Sequence, residues 1–244
     1  MIGIVISAHG QPYRGAELRT RESFQYGRFE ASIKSAQGPG ILNSFFTYND
    51  SVPTTLWAEI DFEILGRYSD NVDVNVINVD GSHLRQHPLD FNPHLDFHTY
   101  SIEWTPNYVA WFMDGEEFYR QTGTHIDALF QSGKLMMNSW TPIYEDWVGI
   151  MDDRILPRFS YYDWVSYAAY TPGTGSVGND QNFTPVWLDD FDEYDPIRWE
   201  KSDGWSWNGN NALLVAENVV FEEGQMILCL TRPGEEGRVD IHPP

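Results

Sequence analysis

The stretch WAEIDFEI, residues 57 to 64, sets carboxylic acids at alternate positions: Glu59, Asp61 and Glu63. In a strand, successive side chains point to opposite faces. One face then carries Ala58, Ile60, Phe62 and Ile64, and the other carries Trp57 with the acids. A helix would scatter the acids and split the apolar set. An ordinary solvated face mixes charges, because like charges in close register destabilise a sheet. No Lys or Arg stands among these. Crowded carboxylates raise the pKa of at least one of their number. An acid kept protonated beside one kept ionised is what cleavage of a glycosidic bond requires.

The rest of the chain reads as strands that must hold this one in place. Alternation appears in YGRFEASI (26–33), ILNSFFTY (41–48), NVDVNVINV (71–79), FHTYSIEW (97–104), YVAWFMDG (108–115), KLMMNSW (134–140) and YYDWVSY (161–167). Turn signals at Gly38-Pro39-Gly40, Thr105-Pro106-Asn107 and Asp114-Gly115 separate them. SIEWTPNYVAWFMDGEEFYRQ reads as a three-stranded meander, and HIDALFQ (125–131) as at most one short helical turn. Many short strands at this spacing predict an all-β sandwich or barrel. TPGTGSVGNDQNFTP, 171 to 185, reads as a flexible connector. Its GTGSVG matches a dinucleotide-binding pattern, but no helix follows, so the match is rejected. The block after it is rich in Trp and too short for a core of its own. It is expected to complete the same sheets, giving a single domain over 1–244 with a tail at 233–244.

Composition narrows the partners. With 36 Asp and Glu against 15 Lys and Arg, the formal net charge is -21. That opposes nucleic acid and anionic membrane surfaces and suits a neutral or cationic partner. A lone Cys229, in MILCL, excludes an internal disulfide and a multi-cysteine zinc site, and reads as inert core. No apolar run approaches a membrane span of about 18 residues. MIGIVISAHG lacks the basic leading region of a signal peptide. Asp152, Asp153, Glu222 and Glu223 read as solvated turns.

EIDFE within WAEIDFEILG, followed by FHTYSIEWTPNYVAWFMDG, KLMMNSW and YYDWVSY, resembles glycoside hydrolase family 16 over nearly the whole chain. The resemblance implies a concanavalin-like jelly-roll sandwich with a concave substrate cleft. FDEYDPIRWEKSDG stands after residue 185, whereas the family's common order places such a block first. The chain thus resembles a circularly permuted bacterial lichenase, with 171–185 bridging the usual ends. Laminarin-cleaving members carry one extra residue, a β-bulge, between the motif's Asp and second Glu. Asp61-Phe62-Glu63 has none, which favours mixed-linkage β-1,3-1,4-glucan.

Carried over residue by residue, the resemblance implies Glu59 as nucleophile, Glu63 as general acid/base and Asp61 as their support. Residues i and i+4 of a flat strand stand about 13 Å apart, whereas retaining glycosidases need carboxyls about 5–5.5 Å apart. The strand is therefore expected to curve and the glutamates to lean together. No cofactor is needed for this chemistry. Phe46, Tyr48, Trp140, Trp205 and Trp207 match sugar-stacking positions, although each would serve a core equally well. Glu17 and Asn75 match polar sugar contacts, and His98 a support beside the site. A structural calcium ion is implied on the Asp163 side chain with the carbonyls of Gly27 and Asp190. The expected partner is a neutral β-glucan, and the expected state a secreted monomer. A xyloglucan-acting transglycosylase and a noncatalytic glucan-binding lectin are the competing readings. A binder gains nothing from a full set of mutually repelling acids.

Overall fold

The computed structural model describes residues 10–50 and 56–240. Residues 1–9 of MIGIVISAHG and the last four residues of the expected tail lie outside the described residues. The strands run β1 (Tyr13–Thr20), β2 (Gly27–Lys34), β3 (Leu42–Tyr48), β4 (Ala58–Leu65), β5 (Asn71–Asn78), β6 (Gly81–Ser82) and β7 (Arg85–Pro88). The meander follows as β8 (His98–Trp104), β9 (Tyr108–Met113) and β10 (Glu116–Thr122), then β11 (Lys134–Trp140) and β12 (Arg158–Tyr170). The C-terminal block adds β13 (Phe183–Asp189), β14 (Trp199–Lys201), β15 (Ala212–Leu214), β16 (Val219–Glu222) and β17 (Gln225–Leu230). Two short helices, α1 (Thr124–Asp127) and α2 (Glu145–Val148), sit in connections.

These strands form two mainly antiparallel sheets packed as a jelly-roll sandwich. The first has the order β14-β1-β11-β3-β4-β5-β6, with β15 also on β1 and β7 also on β5. The second has the order β10-β9-β8-β2-β12-β17-β16, with β13 also on β12. Both recruit strands from before and after the presumed connector, so the Trp-rich block shares the core of the first block. Its β13 and β17 pair with β12 and its β14 pairs with β1.

The alternation of β4 is realised as read. Ile60 and Phe62 face the core between the sheets, exposed by 1% and 0%. Burying a side chain of that size stabilises by about 1.5–3 kcal/mol. From the second sheet, the Trp111 indole N–H donates to the Asp61 carbonyl at 2.9 Å. The strand that carries the acids is thus held from below as well as from both edges.

The connector is shorter than expected. Phe183, Thr184 and Pro185 belong to β13 and pair with Tyr170, Ala169 and Ala168 of β12. Phe183 is wholly buried beside Tyr170, and that apolar burial extends the strand into the polar run. The part before it is a surface loop anchored where the Asn179 N–H donates to Glu103 at 2.9 Å. Residues 233–240 fold back, with Glu236 paired to Arg14 at 3.4 Å. Cys229 is buried in β17. Among the described residues, no helix is long and apolar enough to cross a membrane.

Candidate active site

The acids of β4 lie on the outer face of the first sheet, between β3 and β5. Register is unbroken on both sides. Glu59 stands between Tyr48 and Ile77, Asp61 between Phe46 and Asn75, and Glu63 between Ser44 and Asp73. No bulge interrupts the motif. Glu59 and Glu63 are partly exposed, while Asp61 is 3% exposed and its Oδ2 has no hydrogen-bond partner. The Trp57 indole N–H donates to Glu59 Oε2 at 2.6 Å. Among the described residues, no Lys or Arg forms an ion pair with any of the three acids.

Their electrostatics follow from that enclosure. Burial pushes Glu59 up to about 7, opposed by the Trp57 hydrogen bond. Burial pushes Glu63 up to about 8, reinforced by the charges of Glu59 and Asp73. Burial and the two flanking glutamates hold Asp61 well above the carboxylate range. Glu59, the one with a donor on its charged form, sheds its proton more easily than Glu63. Such a difference suits a nucleophile beside an acid.

One flank is built from β1, β11 and the loop before β15. Glu17, 3% exposed, accepts from Ser202 Oγ at 2.7 Å and pairs with Arg19 at 2.8 Å. The Arg19 guanidinium lies 5.2 Å from the centre of the Trp205 ring. Trp205 meets Trp207 at 5.5 Å between centroids, and Trp207 meets Trp140 at 4.8 Å. The predicted aromatics of this flank therefore form one continuous row. Beside it, Asn138 Oδ1 and Trp140 Nε1 are buried without partners, as is Asp61 Oδ2. Buried polar atoms are seldom left unpaired, and these share the outer face of one sheet with the unpaired Asn71 Oδ1.

The opposite flank holds residues that the sequence reading passed over. Asn75 accepts from Ser82 Oγ at 2.9 Å and from the His83 N–H at 3.0 Å. Its amide N–H2 is what remains for a ligand. Asp73, two residues earlier and 2% exposed, accepts from Trp147 Nε1 at 3.0 Å and Gln86 Nε2 at 3.2 Å. The alternation of NVDVNVINV puts Asp73 and Asn75 on one face, so Asp73 was findable. Trp147 lies in α2, where no periodicity announces it.

Three expectations need correction. Phe46 faces the site but is 7% exposed, so it forms floor beneath Asp61 and not an open platform. His98 is not beside the acids. It lies on β8 in the second sheet, bonded to Asp114 at 2.7 Å and stacked on Phe91 at 3.5 Å. The calcium set of Gly27, Asp163 and Asp190 does not assemble. On β12, Asp163 neighbours the Val165–Asp189 pair, close to Asp190. Gly27 lies beyond the Arg28–Ala168 pair, and Ala168 is about 16 Å along β12 from Asp163. A calcium ligand must lie within about 2.6 Å of the ion. Among the described residues no cluster of His, Cys, Asp or Glu could hold a metal.

The sequence profile of glycosyl hydrolases family 16 matches residues 4–147, a span that contains all the acids of β4. The chain belongs to glycosyl hydrolase family 16. A beta-glucanase of Fibrobacter succinogenes is 36% identical over 240 residues, covering 96% of this chain and 68% of that protein. A xylanase/beta-glucanase of Ruminococcus flavefaciens is 38% identical over 64% of this chain, which spans 19% of its length. Among solved structures, a beta-1,3-1,4-glucanase (lichenase) from a mouse hindgut metagenome superposes with a TM-score of 0.56. It is 36% identical over 63% of this chain and 78% of its own. The family 16 hydrolase described here shares with it the sandwich that carries the acid strand.

Proposed function

We propose that this family 16 hydrolase is a retaining endo-β-glucanase acting on mixed-linkage β-1,3-1,4-glucan. The observation that carries the reading is a cation-free set of carboxyls on one strand, with the Trp57 N–H donating to Glu59. Glu59, ionised, attacks the anomeric carbon as Glu63 gives its proton to the departing sugar oxygen. The glycosyl–Glu59 bond is then broken by a water whose proton returns to Glu63. Asp61 stands between them and supports both. The half-buried Trp205 and Trp207, backed by the buried Trp140, offer apolar faces to sugar rings.

Mixed-linkage preference is supported by the unbroken register of β4 and by the names of the lichenase and beta-glucanase relatives. The whole chain acts as one catalytic domain of circularly permuted order. In support, one relative aligns over 96% of the chain, whereas the family profile stops at residue 147. We further propose a secreted monomer, since a polymeric neutral glucan cannot reach an enzyme behind a membrane. Reducing-sugar release from barley β-glucan, lichenan, laminarin and xyloglucan, run side by side, tests the substrate. Fastest release from the two mixed-linkage glucans is expected, and faster laminarin turnover overturns the preference. Proton NMR of the first product should show the β-anomer.

A further inference from the structure

Asp73 has no place in the two-carboxyl chemistry, yet it is built into the site with more care than the acid it faces. It stands directly opposite Glu63 across the β4–β5 ladder. Directly opposed side chains have Cβ atoms about 4.5–5.5 Å apart. Its oxygens are both engaged: Oδ2 accepts from the Trp147 indole and Oδ1 from the Gln86 amide. These donors come from separate elements, α2 and β7, and the Trp147 indole N–H, a donor only, cannot accept the proton that a neutral carboxyl would offer. Glu63, by contrast, accepts no hydrogen bond from any described residue.

Around this pair, Glu63 is flanked on β4 by Asp61 and feels the charge of Glu59 further along; on β3 it is flanked by Ser44 and on β5 by Asp73. Asp73 is flanked on its own strand by the neutral Asn71 and Asn75, and no Lys or Arg pairs with it among the described residues. Two opposed carboxyls without a cation share one charge more easily than they hold two. Fixed donors decide where that charge sits. Here they sit on Asp73, so the proton is left on Glu63.

We propose that Asp73 is a positioning residue for the acid/base, an ionised carboxylate clamped by Trp147 and Gln86 that keeps Glu63 in its proton-bearing form until the leaving group takes the proton. The inference rests on the reading of Glu63 as acid/base. Burial raises Asp73 above the ordinary carboxylate value and its two donors oppose that rise, while its charge is among the influences raising Glu63. The role differs from that of Asp61, which shares a strand with both glutamates and has an unpaired oxygen.

The test is the pH dependence of kcat/KM on barley β-glucan for wild type, Asp73→Asn, Asp73→Glu and Glu63→Gln. Losing the Asp73 charge makes Glu63 shed its proton sooner, so Asp73→Asn should move the alkaline limb down by roughly one pH unit. Asp73→Glu keeps the charge and should keep most of the limb. Trp147→Phe removes one donor and should move the limb the same way as Asp73→Asn, which covers the case of a poorly folding Asp73 variant. An unmoved limb in folded Asp73→Asn and in Trp147→Phe overturns the role. Glu63→Gln separates this from the underlying assignment. If its rate on an aryl glycoside with an activated leaving group does not recover relative to glucan, Glu63 is not the acid, whatever Asp73 does.

Discussion

Each sheet of this molecule holds a cluster of enclosed carboxylates, and the two clusters are built on opposite rules. In the second sheet, Glu103 is 0% exposed and bonded to Arg28 at 2.7 Å, Tyr108 Oη at 2.9 Å and the Asn179 N–H at 2.9 Å. Arg28 also reaches Glu30 at 2.6 Å. Every charge there has a counter-charge or a donor, and the group ties β2, β8 and the 171–182 loop together. In the first sheet, Glu59, Asp61, Glu63 and Asp73 face one another with no ion pair to a cation among the described residues. Desolvation and mutual repulsion then favour the protonated forms. The paired cluster can only hold the fold; the unpaired one can move protons.

The widest expected difference between the clusters is in rate. Glu59→Gln and Glu63→Gln should each lower kcat on mixed-linkage glucan by roughly a thousandfold or more, with the circular dichroism spectrum unchanged. A change of that size from any single substitution in the Arg28 cluster would break the contrast. The next difference is in stability. Arg28→Met strands a buried Glu103 and should cost about 3–5 kcal/mol, read from the urea midpoint at unchanged slope. The rate per folded molecule should stay at the wild-type value.

Smaller effects sharpen the picture. Trp205→Ala removes one end of the aromatic row and should raise KM about fivefold, on the order of 1 kcal/mol, with kcat nearly kept. A matching fall in kcat would show that Trp205 acts on the transition state. The smallest effect has an unusual sign. Glu63 binds its proton more tightly folded than unfolded, so its contribution to stability is full below its ordinary value of 4.5 and is lost as pH rises towards about 8. Glu63→Gln stays neutral throughout. It should match wild type near pH 4.5 and exceed it near pH 8 by on the order of 1 kcal/mol. A Glu63→Gln protein less stable than wild type at pH 8 would contradict the enclosure of this acid.

Both sheets were partly legible in the sequence, the second through β2, the meander β8 to β10, and β12. Period-two alternation exposed β3, β4, β5 and β11, and with them the face that carries Glu59, Asp61, Glu63, Tyr48 and Asn75. β1 was not read as a strand, because Gly15 and the alternating charges of YRGAELRT blur its pattern. Gly15 is there for space: a Cβ would stand 2.8 Å from the Ser139 carbonyl oxygen. The error at Phe183–Pro185 came from trusting polar composition over one buried Phe. His98 and the calcium set failed for another reason. Both were carried over by likeness, and only sheet register shows which residues become neighbours. Trp147 and Gln86 reach Asp73 from a four-residue helix and an edge strand, elements too short for periodicity to reveal.

The central claim is that Glu59 and Glu63 divide the roles of nucleophile and acid/base on one strand. Azide rescue of Glu59→Ala and Glu63→Ala tests it most directly, with the configuration of the glycosyl azide read by proton NMR. Without the nucleophile, azide enters the vacated space and attacks the opposite face from the leaving group, so Glu59→Ala should yield the α-glycosyl azide. Without the acid/base, the glycosyl enzyme still forms on an activated donor and azide opens it, so Glu63→Ala should yield the β-glycosyl azide. The opposite pairing of variant and anomer, or wild-type rates in either variant without azide, would contradict the account.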